Sequence, residues 1–195
     1  MKLTNLYRFL ASIIICELAG VVSSFFITSK IVTWYQFLNK PSFSPSNWIF
    51  GPVWSLLYLL MAISLYIVWS KDWTVKDLSK YKIKKAWNKW SRSGIPAMQA
   101  ILAARQKLWT GAWYKANIVL IFCTQLALNI LWPIIFFGLQ SPAAAFSEIL
   151  SLLMAILFLI LNFYRVSKTA ALLLVPYLLW VLFAAVLNYN IWILN

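Results

Sequence analysis

Apolar residues along this chain run together instead of alternating with polar ones. Five stretches of about 20 residues carry almost no charge, at roughly 9–28, 49–70, 117–138, 143–164 and 170–193. Each matches an apolar layer about 30 Å thick at 1.5 Å rise per residue. Runs such as "LLYLLMAISLYIVW" lack the period-two alternation of a membrane β-strand. In lipid the backbone has no water to bond, so each segment must satisfy its own polar groups as a helix. The pattern predicts an all-α membrane protein: one domain, residues 1–195, built as a five-transmembrane-helix bundle. The first stretch follows Lys2 and Arg8, as a signal peptide would. No small-residue cleavage site follows it, so it reads as an anchor.

The polar intervals set the connectivity. "LQSP" and "RVSK" are so short that spans three and four, and then four and five, must be antiparallel neighbours. The first interval, 29–48, is about 20 residues long, and an unstructured loop of that length in a compact protein is often functional. The second, 71–116, is longer still and reads as a basic, Trp-rich insertion of two short helices broken at "SGIP". One stripe runs through Val75, Leu78, Lys82, Ile83, Ala86, Trp87 and Trp90, apolar except for Lys82, and a second through Met98, Ile101, Leu102, Leu108, Trp109 and Trp113. Basic residues around such a stripe suit either a solvated insertion or a helix lying on an anionic membrane surface.

Composition agrees with this reading. The chain is 63% hydrophobic and 11% charged, too little polar surface for a soluble domain. A net charge of +13 raises the question of nucleic acid, but its location answers it. The even-side intervals hold 15 Lys and Arg against 2 on the other side. The positive-inside rule then places the N-terminus in the cytoplasm and the C-terminus outside, in a cell (plasma) membrane. The basicity is a topology signal, and no nucleic-acid partner is expected. The chain has no histidine, which removes the commonest metal ligand, the usual haem axial ligand and the easiest general base. Cys16 and Cys123 lie inside spans at similar depth and imply no disulfide framework.

Polar groups within spans are costly and each needs a partner or a task. Gln125, Asn129 and Trp132 share one face of span three; Pro176, Trp180, Ala184 and Asn188 share one face of span five; Trp54, Tyr58 and Met61 share one face of span two. At 1.5 Å per residue, Trp54, Tyr58, Asn129, Trp132, Trp180 and Ala184 fall between mid-membrane and the outer surface, beneath the first loop. Each residue alone could be helix-packing glue. As a set they predict an aromatic pocket for a planar, hydrophobic ligand. Glu17, near the middle of span one, is expected protonated or hydrogen-bonded to another helix. Glu148 is expected near the outer interface, close to the start of its helix, in a structural role.

The order "NKPSFSPSNWIFGPVWSLLYLLM", "QLALNILWPIIFFGL", "VPYLLWVLFAAVLNYNIWILN" resembles the TspO/MBR family of tryptophan-rich sensory proteins and translocator proteins. The resemblance implies a five-helix bundle, often a homodimer, with a ligand pocket capped by the first loop. It implies porphyrin or haem as ligand, and no permanently bound cofactor. Carried onto this sequence, the loop contacts are Trp34, Tyr35 and Pro45, and the walls are Trp54, Tyr58, Gln125, Asn129, Trp132, Trp180 and Ala184. Some members are proposed to degrade protoporphyrin in light, a role that would fall to Trp180 with Trp54. A small-metabolite transporter is the further alternative. The sequence departs from the family at Phe43, where a tryptophan is usual, and at Ser46, where a proline is usual. Phe43 keeps an aromatic face for the ligand but loses an indole N–H. The tail after Tyr189 lacks the basic residue of the sterol-binding pattern, so sterol is not an expected partner. The second interval is far longer than the connection typical of the family.

Overall fold

The computed structural model describes residues 3–71 and 116–195. The apolar stripes expected through 75–90 and 98–113 lie outside the described residues. Two compact units divide the chain: residues 1–70 with 121–195 form the bundle, and 71–120 form the second. Of the second, the described residues are Lys71 and the opening turn of the third helix, 116–120.

Five helices are long and apolar enough to cross a membrane: α1 Leu3–Thr33, α2 Asn47–Ser70, α3 Ala116–Gly138, α4 Pro142–Val166 and α5 Lys168–Leu194. No strand occurs among the described residues. Large apolar side chains face outward along helical stripes, at Leu10, Ile14, Leu18 and Phe25 on α1 and at Leu150, Met154, Leu157 and Leu161 on α4. For a bundle whose solvent is lipid, outward leucines are the expected surface. Between helices α1 packs on α2, α2 and α4 pack on α5, and the end of α3 touches α1 and α4.

α1 exceeds its apolar stretch at both ends. No glycine or proline stops it beyond residue 28, and polar side chains fold back onto carbonyls one turn earlier: Thr28 Oγ1 on Ser24 O and Thr33 Oγ1 on Ser29 O, each at 2.8 Å. The first loop is therefore shorter than expected, residues 34–46, and it is not structureless, since Tyr35–Phe37 form a 3-10 turn.

Three prolines shape the helices. Pro52 sits inside α2 near its start. Pro176 cannot donate to the carbonyl of Leu172, and α5 is accordingly broken at Leu174 into Lys168–Leu173 and Val175–Leu194. Pro133 cannot donate to Asn129, and the last turn of α3, Ile134–Gly138, is a π-helix closed by Leu139 N donating to Ile134 O at 2.9 Å. The wide turn brings the consecutive side chains Phe136 and Phe137 both inside. Gln140 then turns the chain with φ 51°, and Pro142 opens α4.

One expectation is corrected here. Glu148 does not reach an interface: it is buried at 8% exposure, and neither carboxyl oxygen has a hydrogen-bond partner. Its place within the second turn of α4, with its face toward the bundle, encloses it. Cys16 is buried and Cys123 exposed, and both are free, because they face opposite surroundings despite their similar depth.

Candidate functional site

A line of hydrogen bonds joins three helices at mid-bundle. Tyr58 Oη on α2 donates to Asn129 Oδ1 on α3 at 2.5 Å, and Asn129 Nδ2 donates to Tyr177 Oη on α5 at 3.0 Å. Tyr177 Oη then donates to Gln125 Oε1 at 3.1 Å. Gln125 and Asn129 are one turn apart, so their amides stack on one face of α3 and hold the Tyr177 hydroxyl between them. All four residues are buried. Every link donates in the same sense, so the line ends on a donor: Gln125 Nε2 is buried without a partner. The other end is set by close packing, since Gly20 on α1 leaves room for the Tyr58 ring.

Beside this line stand two rungs of aromatic rings. Trp54 lies 5.6 Å from Tyr58 and 6.3 Å from Tyr177, centroid to centroid. One turn nearer the first loop, Phe50 lies 5.9 Å from Trp180. Phe50 and Trp54 are i, i+4 on α2, and Tyr177 and Trp180 are i, i+3 on α5, so each helix presents a matched pair. Trp180 also packs on Phe183 at 5.4 Å, and its indole Nε1 is buried with no acceptor.

A second aromatic group closes the loop-one end. Trp132 stacks on Phe136 at 5.0 Å, and Trp34 meets Phe136 edge-on at 5.5 Å. Tyr35 is buried against Phe136 and Phe137. Burial pushes the Tyr35 phenol above its ordinary pKa, only partly offset by a hydrogen bond with Ser44. The phenol is thus neutral at physiological pH, and the Lys40 ammonium, 4.8 Å above the ring, meets it as a cation on a π face. Trp132 Nε1 donates to Asn188 Oδ1 at 3.0 Å, while Asn188 Nδ2 donates to Pro142 O at 2.7 Å, tying α3, α4 and α5 together.

The first loop is fastened to the end of α5. Asn39 N donates to Asn195 Oδ1 at 3.0 Å, Asn195 Nδ2 returns a bond to Asn39 O at 3.0 Å, and Asn39 Nδ2 reaches Leu194 O at 3.2 Å. Farther along the loop, Phe43 meets Phe183 edge-on at 6.3 Å.

The structure brings Trp54, Tyr58, Gln125 and Asn129 together around Tyr177, with Trp180 one turn away against Phe50 and Phe183. It places Trp34, Tyr35 and Trp132 in the separate plug around Phe136 and Phe137, Phe43 on the loop above Phe183, and Pro45 and Ala184 at half-buried positions. Trp132 bonds Asn188, which lies on the face of α5 that carries Trp180 and Ala184, and its ring packs on Phe136.

A profile of the TspO/MBR family matches residues 12–193. This chain belongs to the TspO/MBR family. Family membership and five apolar helices make it an integral, multi-pass membrane protein. Among its TspO/MBR relatives, the tryptophan-rich protein TspO of Archaeoglobus fulgidus is 37% identical over 191 residues, covering 98% of this chain and 99% of the relative. The match includes the long stretch between α2 and α3, so a connection of this length is not peculiar to this family member. The human translocator protein is 34% identical over 176 residues, 90% of this chain and 83% of its own. Protein CrtK of Rhodobacter capsulatus is 31% identical over 191 residues, 98% and 94% of the two chains.

Sequence reasoning missed Tyr177, the hub of the site. Its signal was present: a phenol inside an apolar run needs a polar partner. Phe50, Phe136, Phe137 and Phe183 gave no such signal, because a phenylalanine in a membrane helix is ordinary. Gly20 was equally silent, since its role depends on a ring from another helix.

Proposed function

We propose that this protein binds a planar tetrapyrrole, a porphyrin or haem, between α2, α3 and α5 beneath the first loop, in a sensory, regulatory or transport role. One observation supports this most: the paired rungs Phe50–Trp180 and Trp54–Tyr177 line a seam whose buried N–H groups on Gln125 and Trp180 lack acceptors. Flat aromatic faces suit a flat ligand by offset stacking, and free polar groups in such a wall fix its orientation. The relatives' names, translocator protein and tryptophan-rich sensory protein, are in keeping with a membrane receptor or carrier. The first loop, clasped by Asn195, caps the seam. By the charge count this end faces outward, and 15 of the 17 Lys and Arg face the cytoplasm.

The test is a titration of the purified protein with protoporphyrin in the dark, followed by quenching of tryptophan fluorescence. Saturable quenching is expected, reduced by Trp54→Ala. Quenching that stays linear with protoporphyrin concentration rejects the proposal. Illuminating the saturated complex, wild type against Trp180→Phe, separates a binding protein from a light-dependent degrading enzyme: loss of the porphyrin spectrum in wild type alone would favour the enzyme.

A further inference from the structure

Among the described residues, three side chains carry buried polar atoms with no partner: Gln125 Nε2, Trp180 Nε1 and the Glu148 carboxyl. Buried donors left unpaired are costly, and most native proteins keep few. Two of the three are N–H donors on one seam. Gln125 receives the Tyr177 hydroxyl, and Trp180 is i+3 from Tyr177 on α5, so the two donors flank one residue. Glu148 sits on another helix, about 9 Å deeper than the Pro142 carbonyl held by Asn188.

Each side-chain amide oxygen around the seam already takes one proton. Asn129 Oδ1 takes the Tyr58 proton, Gln125 Oε1 takes the Tyr177 proton and Asn188 Oδ1 takes the Trp132 proton. The seam therefore offers donors to a guest and asks for acceptors. A guest with only alkyl groups at its edge would leave both N–H groups unpaired, and a guest bringing only N–H or O–H donors could add second bonds to the amide oxygens but would leave the same two N–H groups unpaired.

We infer that the ligand binds through an oxygen acceptor, carboxyl or carbonyl, directed at Gln125 Nε2 and Trp180 Nε1, and that this pair selects among planar ligands of similar size. The inference rests on the tetrapyrrole reading above and adds which edge of the molecule enters and why. A site built to donate discriminates strongly against an analogue without the acceptor, because the loss leaves its own buried groups unsatisfied.

Three probes of similar shape test it on the full-length protein: protoporphyrin, its dimethyl ester and octaethylporphyrin. The first has carboxyl oxygens, the second only ester carbonyls, and the third neither. Binding is read from the porphyrin absorption band, so loss of a tryptophan does not blunt the signal. The expected result is that octaethylporphyrin binds about fivefold or more weakly than protoporphyrin. Trp180→Phe, which keeps an aromatic ring but removes the N–H, should shrink that difference, and so should Gln125→Met, which keeps the side-chain length but removes the amide N–H. An ester that matches the acid assigns the contact to a carbonyl; an ester that matches octaethylporphyrin assigns it to the charged carboxylate. Equal affinity for all three probes in the wild type overturns the inference and leaves tetrapyrrole binding standing. So does a uniform weakening of all three by both variants, which would mark packing alone. No binding of any probe overturns the tetrapyrrole reading and this inference with it.

Discussion

Gly20 and Tyr58 touch so closely that a methyl group on the glycine would lie 2.7 Å from one ring carbon of the tyrosine and 2.9 Å from another. Ordinary carbon–carbon separation is about 3.5–4.0 Å. The ring cannot simply swing away, because its hydroxyl is bonded to Asn129. α1 thus fixes the first link of a polar line that crosses to α5. Gly20→Ala is expected to lower stability by about 1–3 kcal/mol through overpacking and to loosen the Tyr58–Asn129 bond. Gly51 provides the control, since a methyl there meets nothing within 4 Å; Gly51→Ala should be neutral or stabilising by up to about 1 kcal/mol. Thermal unfolding of both variants in the same detergent checks the contrast.

Tyr177 takes one hydrogen bond from Asn129 and gives one to Gln125. Tyr177→Phe keeps the ring against Trp54 but leaves an amide N–H and an amide oxygen without partners. Interhelical bonds in membranes are worth roughly 0.6–1.7 kcal/mol each. The expected loss is about 1–2 kcal/mol of stability with helical content unchanged, read by circular dichroism and thermal unfolding. A melting temperature equal to that of wild type would show that the line contributes nothing to the fold.

The clasp between Asn39 and Asn195 is exposed, so each of its bonds is modest in worth, about 0.5–1.5 kcal/mol. Asn195→Ala removes two of the three bonds and leaves Asn39 Nδ2 on the Leu194 carbonyl. The first loop should open more often while the bundle stays intact. Hydrogen exchange at residues 38–44 is expected to rise severalfold, with α2 and α4 unchanged. Exchange that stays the same would mean that Tyr35 in its aromatic plug holds the loop unaided.

Gln140 holds φ at 51°, a left-handed conformation that costs a side-chain-bearing residue roughly 1–2 kcal/mol. Gln140→Gly relieves that cost but adds freedom to the unfolded chain. A net stabilisation of up to about 1 kcal/mol is expected, visible as a higher melting temperature, whereas Gln140→Val, branched at Cβ, should lower it.

Much of the architecture was legible because membrane helices announce themselves by unbroken apolar length. Boundaries were less legible. α1 continues to Thr33 because threonine and serine side chains can satisfy a polar helix end on its own carbonyls, which hydropathy alone does not reveal. For the candidate site, the i, i+4 pairing of Gln125 with Asn129 and the common depth of Trp54, Tyr58 and Trp180 were readable from spacing. Trp132 was assigned to the same face by spacing, and its indole bonds Asn188 on α5. That outcome depended on where a neighbouring helix placed an acceptor. Phe136 and Phe137 escaped notice because a phenylalanine in an apolar run carries no polar signal, and both are buried in the altered turn after Pro133.

That turn has a consequence for how this helix can vary. A π turn holds about one residue more than an α turn. Removing any one residue from Ile134–Gly138 would therefore let the turn close as an ordinary α turn through the same full rotation, shortening the helix without re-aiming its ends. The polar line at Gln125 and Asn129 and the plug beyond it would keep their bearings relative to each other. The extra residue works as slack, fitting one more side chain between two faces of one helix: one set to bond α2 and α5, the other set to seat the loop.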